Sequence, residues 1–438
     1  MRAAVSSPTI ARTTLAKDVP VSFGQERMWF LNQFEPDTAA YNRPTVLHFH
    51  GPLDITLLER SLNEILRRHQ VLRTVYRQEA NRPVQEVRDP TPIEIAVIDL
   101  QGVPASAREA EAERLAREEV SRSFDLSDDF LLRARLIRFA ADKHWLILTT
   151  HHIAFDGWSQ GVLHDELAAL YAAFRDGLAS PLPELPLQYI DYATRQRDWA
   201  GGSEASRQLT WWKHTLEGAA TVLELPSDHS RPSMQSMRGS RFPVTLSRPL
   251  TDALRDLAMR NQASLFMVLM ATWNVLLHRY TGQEDILVGF PIAGRTRRET
   301  ETLIGLFMNT LPLRTNLAGN PKFRELLSRV REIALDAYAN QDVPLQLLIE
   351  SMSIQRDTSR APLFQHMFVL QNAPLSAQHL GELSFDSIEI NTSTSKLDLT
   401  MELREKPEGL DGCIEYSTDL FENATIERMM GHFITLLE

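Results

Sequence analysis

The 438-residue sequence contains a single cysteine, Cys413. That excludes an internal disulfide framework and any cysteine-rich zinc site, and it fits a reducing, cytoplasmic compartment. Long hydrophobic runs are missing too. The longest, LFMVLMATWNVLL (265–277), is too short to span a bilayer and carries Thr272 and Asn274, so it reads as a buried helix. Positive charge is in deficit: 46 Lys and Arg against 57 Asp and Glu give a formal net charge of −11, which speaks against a nucleic-acid binder. The stretch MRAAVSSPTIARTTLAKDVP has no apolar core of a secretory signal, and residues 1–20 read as a flexible leader. What is present, 43% hydrophobic and 24% charged residues, is the composition of a globular protein too long for one ordinary core.

Helical and strand periodicities interleave along the whole chain. DITLLERSLNEILRRHQ (54–70) puts Ile55, Leu58, Leu62, Ile65 and Leu66 on one helical face behind an Asp54 N-cap. Residues 105–122 form a charged helix, 131–139 a half-exposed strand, 144–150 a central strand and 162–174 an amphipathic helix. The Pro-rich connection 177–186 marks the expected boundary between an N-terminal lobe, 21–180, and a C-terminal lobe, 181–438. In the second lobe, helices are expected near 250–280, 322–339 and 344–352, and strands near 285–290, 364–370, 395–403 and 411–416. Two α/β lobes of similar size are the simplest reading. The C-terminal IERMMGHFITLLE stops inside an apolar helical pattern, as a piece of a longer chain would.

One stretch, THHIAFDGWSQG (150–161), holds two chemical patterns. Gly157-Trp158-Ser159-Gln160-Gly161 matches the G-x-S-x-G serine elbow. An elbow needs its strand to run straight into the first glycine. Here the apolar strand ends near Thr150, and no HGGG-like oxyanion segment lies upstream. The rival pattern is His151-His152-x-x-x-Asp156-Gly157. Adjacent strand residues point to opposite faces, so the two histidines cannot share one job. A zinc site is a weak reading, because adjacent histidines rarely bind one metal and no third ligand stands nearby.

HHIAFDGWS resembles the core motif of condensation domains of non-ribosomal peptide synthetases, a motif shared with other CoA-dependent acyltransferases. Six further stretches resemble motifs of the same family, in family order: SFGQERMWFLNQ (22–33), RRHQVLRTVY (67–76), YIDYATRQRDW (189–199), IGLFMNTLPLR (304–314), NQDVPLQLL (340–348) and RDTSRAPLFQHMF (356–368). The DFGWG element of the plant-type relatives is absent. The resemblance implies an α/β fold of two chloramphenicol-acetyltransferase-like lobes in a V-shaped pseudo-dimer with a central tunnel. It implies amide formation between a donor acyl thioester and the amine of a carrier-bound aminoacyl thioester. No cofactor is permanently bound on this reading; substrates ride on phosphopantetheine, with acyl-CoA as one donor.

The resemblance assigns His152 as the catalytic residue, either a general base or a group that positions the amine and stabilises the tetrahedral intermediate. His151 is expected to pack behind it, and Gly157 to permit close backbone approach across the turn. Asp156 is expected to be structural, paired with an arginine, and Arg73 of the LRT element is the candidate. Arg68 supports the second motif, or is an arginine on a helix surface. Trp158, Ser159 and Asn309 are expected along the substrate tunnel; packing is the alternative for Trp158 and a loop cap for Asn309. The GRTRRE run (294–299) is either a phosphate contact or a solvated loop. Cys413 reads as inert packing in a strand.

The first motif begins about twenty residues from Met1, which leans the reading towards a starter domain that takes an acyl-CoA donor. Elongation with a peptidyl carrier is the alternative. An epimerase relative or a non-catalytic recruitment domain of the same fold are further alternatives. Expected partners are an aminoacyl carrier protein, an acyl-CoA or upstream carrier, and an adjoining adenylation domain downstream. Neither nucleic acid nor membrane is expected, and the domain is expected to be a monomer.

Overall fold

The computed structural model describes residues 19–352, 354, 357–371, 379–380, 383–388 and 393–438; the expected leader lies outside them up to residue 18. The chain divides into two units, and the division is not linear. The first takes the described residues of Met1–Gly202, Arg295–Met308 and Ala373–Ile390; the second takes those of Ser203–Gly294, Asn309–Asn372 and Asn391–Glu438. The expected cut at 180/181 differs from this in two ways. The helix after the Pro-rich connection stays with the first unit, and two later segments return to it. A cut read from a linear sequence has no means of showing such returns.

The first unit runs β1 (Val19–Pro20), α1 (Phe23–Phe34), β2 (Asn42–His50), α2 (Ile55–Arg68), β3 (Thr74–Glu79), β4 (Arg82–Val87), β5 (Ala96–Asp99), α3 (Ala105–Val120), β6 (Leu132–Ala140), β7 (Lys143–His151), α4 (Gly157–Arg175) and α5 (Tyr189–Ala200). Its main sheet is ordered His379–Leu380, Leu383–Ile388, β2, β7, β6, β5, and β1, β4 and β3 form a small second sheet. As its apolar run predicts, β7 is central, and every residue in it after Lys143 is buried. Asn42 of β2 pairs with His151 at its end. α2 starts on the Asp54 cap, whose carboxylate accepts from the amides of Thr56 and Leu57.

α4 starts five residues earlier than expected. Its N-cap is Asp156, whose side chain accepts from the Ser159 amide. The motif residues Gly157, Trp158 and Ser159 are therefore the first turn of a helix. Leu163, Leu167, Leu170, Tyr171 and Phe174 follow on its buried side.

The second unit has one six-stranded sheet, ordered Asn309–Asn316, Asp285–Ile292, His366–Gln371, Leu399–Lys406, Gly409–Ser417, Gly239–Ser247. The expected helix near 250–280 is two helices, Arg248–Arg260 and Leu265–Thr281. The second carries the longest apolar run and is buried at every position from Met267 to Asn274. Among the described residues no helix is long and apolar enough to cross a membrane.

Candidate active site

The two histidines part as strand geometry requires. His151 is buried, sits edge-on to Phe124 at 5.9 Å and accepts the Ile153 amide on Nδ1 at 3.1 Å. His152 is half-buried, and its own amide extends the β2–β7 pairing by one bond to the Tyr41 carbonyl, 2.9 Å. Its Nδ1 lies 2.7 Å from the Phe155 carbonyl. A carbonyl only accepts, so Nδ1 carries the proton. In the neutral ring Nε2 is then the basic nitrogen, the form a proton acceptor needs.

Asp156 is 1% exposed, and both its oxygens are occupied. Oδ1 accepts from the Ser159 amide at 2.9 Å, the Ser159 hydroxyl at 2.7 Å and Arg295 Nη2 at 3.1 Å. Oδ2 accepts from the amides of Phe307 at 3.0 Å and Met308 at 3.3 Å. The structural role expected for Asp156 fits these contacts, but its partner is Arg295, not Arg73. Arg73 ends a short 3-10 turn, Gln70–Arg73, and spends its guanidinium on the carbonyls of Arg88 and Arg67. Arg295 comes from the GRTRRE run, so that run is neither wholly a solvated loop nor a free phosphate contact. Its buried guanidinium also donates to the carbonyls of Thr300 and Leu303 and lies over the Phe307 ring at 4.1 Å. Burial lowers its pKa, against the opposing pull of the Asp156 charge.

Ser159 is fully buried, which corrects its expected place on a tunnel wall. Its hydroxyl has one hydrogen, and the Asp156 carboxylate at 2.7 Å is a stronger acceptor than the Gly305 carbonyl at 3.0 Å. Its lone pairs receive the Gly305 amide at 3.0 Å and Arg295 Nη2 at 3.1 Å. A hydroxyl so saturated is no nucleophile. Gly157 is not in the left-handed region and is the first residue of α4. Trp158 donates its indole N–H to the Glu301 carbonyl at 2.9 Å. It stands at one end of a cleft of about 810 Å³ that follows α4 past Val162, Asp165, Glu166 and Ala169.

Sequence reasoning missed how the segment 303–308 is held. It has no strand or helix partner of its own, yet consecutive backbone groups are met by side chains. Arg295 takes the Leu303 carbonyl, His69 Nδ1 the Ile304 amide at 3.2 Å, and the Ser159 hydroxyl oxygen the Gly305 amide at 3.0 Å. Tyr189 takes the Leu306 carbonyl at 2.7 Å, and Asp156 the Phe307 and Met308 amides. Buried backbone groups must be paired, and here five residues from four sequence regions do it. A Cβ on Gly305 would overlap the Tyr189 ring. Arg68 is buried, not a surface arginine. It grips Glu166 through Nε at 3.2 Å and Nη2 at 3.0 Å, while His69 Nε2 meets the same carboxylate at 2.9 Å. Burial works to raise the Glu166 pKa, but His69 and Arg68 outweigh it and hold it low.

Asn309 belongs to the second unit and is a loop cap there, which corrects its expected contact with substrate. Its amide donates to the carbonyls of Gln341 and Val343 and its oxygen accepts the Leu345 amide. Among the described residues no group of three or more His, Cys, Asp or Glu is placed to hold a metal ion.

The chain matches the Condensation domain family model over residues 15–438. It is 44% identical over 434 residues to one of the linear gramicidin synthase subunits of Brevibacillus parabrevis, covering 99% of this chain and 8% of that protein. To surfactin synthase subunit 1 of Bacillus subtilis it is 39% identical over 419 residues, covering 96% of this chain and 11% of that protein. The chain thus spans about a tenth of the length of these relatives. Among solved structures, the X-domain of teicoplanin biosynthesis in complex with OxyB superposes with a TM-score of 0.88 at 27% identity, over 98% of this chain and 94% of that one. The first condensation domain of the calcium-dependent antibiotic synthetase shares the fold, with a TM-score of 0.79 at 22% identity over 96% of each chain. With its chloramphenicol-acetyltransferase-like fold and its ordered His152–Asp156 motif, the chain belongs to the condensation-domain family of amide-forming acyltransferases.

Proposed function

We propose that this chain joins a donor acyl group to the amine of an aminoacyl thioester held on a carrier protein. The carrying observation is the 2.7 Å bond from His152 Nδ1 to the Phe155 carbonyl. It presents Nε2 in its basic form at the start of α4. The amine attacks the thioester carbonyl, a C–N bond forms and the C–S bond breaks. His152 Nε2 takes the surplus amine proton and returns it to the departing thiolate. Holding both thioesters in attack geometry supplies much of the rate, and no acyl-enzyme is needed.

Two features support a carrier as partner. α1 exposes Phe30 (49%) and Phe34 (70%) one turn apart, an apolar patch of the kind partners cover. The matched relatives are about ten times longer than the chain, as expected where substrates pass between joined domains. On that support we read the donor as carrier-bound, the elongation role. The acyl-CoA donor of a starter domain has behind it a likeness of fold, a TM-score of 0.83 at 17% identity to the starter condensation domain of rhizomide synthetase.

The test is product formation by intact mass, with an aminoacyl carrier as acceptor and either an acyl carrier or an acyl-CoA series as donor. Amide product lost about 10²- to 10⁴-fold in His152→Ala is expected. Product from acyl-CoA alone would establish the starter role instead, and stereoinversion without amide would make the chain an epimerase. Recruitment without chemistry is a second reading, favoured by the likeness to the X-domain in complex with OxyB. A folded protein that forms no product with any donor would decide for it.

A further inference from the structure

We propose that His69 is a positioning residue for condensation, acting through the Ile304 amide on the orientation of His152. The inference rests on the condensation reading of the site.

His69 lies 1% exposed at the end of α2. Its two nitrogens do different work. The Ile304 amide can only donate, so Nδ1, 3.2 Å away, must accept and carry no proton. Nε2 then bears the hydrogen and donates to Glu166 at 2.9 Å. Glu166 is fixed in turn by Arg68. The tautomer is therefore set from the α4 side and read out on segment 303–308.

The readout leads to the reacting group by short links. Ile304 precedes Gly305, whose amide Ser159 holds through its hydroxyl oxygen. Phe307 and Met308 hang on Asp156. Asp156 directly follows Phe155, whose carbonyl orients His152. Freed at Ile304, the segment loses its anchor on His69, and the strain falls on Ser159 and Asp156, the residues that set the His152 turn.

Two substitutions separate this role from a merely structural one. In His69→Asn the amide oxygen stands where Nδ1 stood and can still accept the Ile304 amide, but the side chain no longer reaches Glu166. In His69→Gln the amide nitrogen reaches Glu166, but the acceptor for Ile304 is gone. Three readouts are taken on each folded variant: kcat and KM for the aminoacyl carrier, thermal midpoint, and hydrogen exchange of the peptide covering 303–308. The expected result is that His69→Gln loses about ten- to a hundredfold in kcat at unchanged KM and exchanges faster at 303–308, while His69→Asn stays within about threefold of wild type in kcat. Equal losses in both variants that track the thermal midpoint would overturn the proposal, as would wild-type kcat in His69→Gln. If wild-type protein forms no amide, the condensation reading itself has failed. The exchange comparison then still decides whether His69 holds the segment.

Discussion

Asp156→Ala is the sharpest test of how this site is built. The carboxylate takes five hydrogen bonds, two from Ser159, one from Arg295 and one each from Phe307 and Met308. Deleting it removes the α4 N-cap, about 1 kcal/mol. It also leaves the Arg295 guanidinium, with a side chain 1% exposed, buried without its counter-charge, about 3–5 kcal/mol. The buried Phe307 amide loses its acceptor at about 1–3 kcal/mol, and the half-buried Met308 amide at less. These losses overlap, yet a total of at least about 5 kcal/mol is comparable with the whole stability of a domain. Asp156→Asn should fare little better, because its NH2 must face a donor whichever way the amide turns. Arg295→Ala should cost less, about 2–3 kcal/mol, since Asp156 keeps its other four bonds. The double variant should be more stable than the sum of the singles predicts. Urea unfolding followed by tryptophan fluorescence measures all four variants. If Asp156→Ala or Asp156→Asn unfolds within about 1 kcal/mol of wild type yet makes no amide, the structural account fails and Asp156 has a chemical role.

Three further outcomes are expected. Ser159→Ala should destabilise the protein by about 1–3 kcal/mol by stranding Gly305 and Arg295, and a fluorophosphonate should not label Ser159 in wild type; labelling would revive the serine reading. Phe30→Ala with Phe34→Ala should raise KM for the aminoacyl carrier while stability stays within about 0.5 kcal/mol, and an unchanged KM would remove α1 from the docking surface. Stability should fall on acidification through two buried histidines, His164 and His366, whose pKa values burial lowers to about 4. The unfolded chain binds these protons near pH 6.5 and the folded chain only near 4, so each contributes up to about 3 kcal/mol that is present at neutral pH and lost as pH falls across that window. His164→Leu should flatten the urea midpoint between pH 6.5 and 4; an unchanged slope would contradict the assignment.

The elements were legible where one periodicity ruled. The all-apolar β7 and the α2 stripe behind Asp54 appear as their sequences require, because burial on both faces or on one face leaves a local signature. The start of α4 was less legible. Asp156-Gly157-Trp158-Ser159 carries a cap and a first turn, but the motif draws the eye to chemistry, and the apolar stripe begins only at Leu163. The unit boundary was not legible, since Arg295–Met308 and the described residues of Ala373–Ile390 return to the first unit after long stretches that belong to the second.

The sequence by itself carried the interleaved α/β periodicities and the ordered motifs that resemble the condensation-domain family, and with that resemblance the expectation that His152 reacts. The seven ordered motifs and the strand alternation that separates His151 from His152 are properties of neighbours in sequence. Only the tertiary structure decided who holds the site together. Arg295 rather than Arg73 reaches Asp156, Ser159 turns inward, Asn309 closes a loop, and His69 meets Ile304. Each of these is a contact between residues dozens to more than two hundred positions apart, or a choice of rotamer forced by one. Such pairings are set by which buried backbone and charged groups need a partner once the chain has folded, and that need has no imprint on spacing along the sequence.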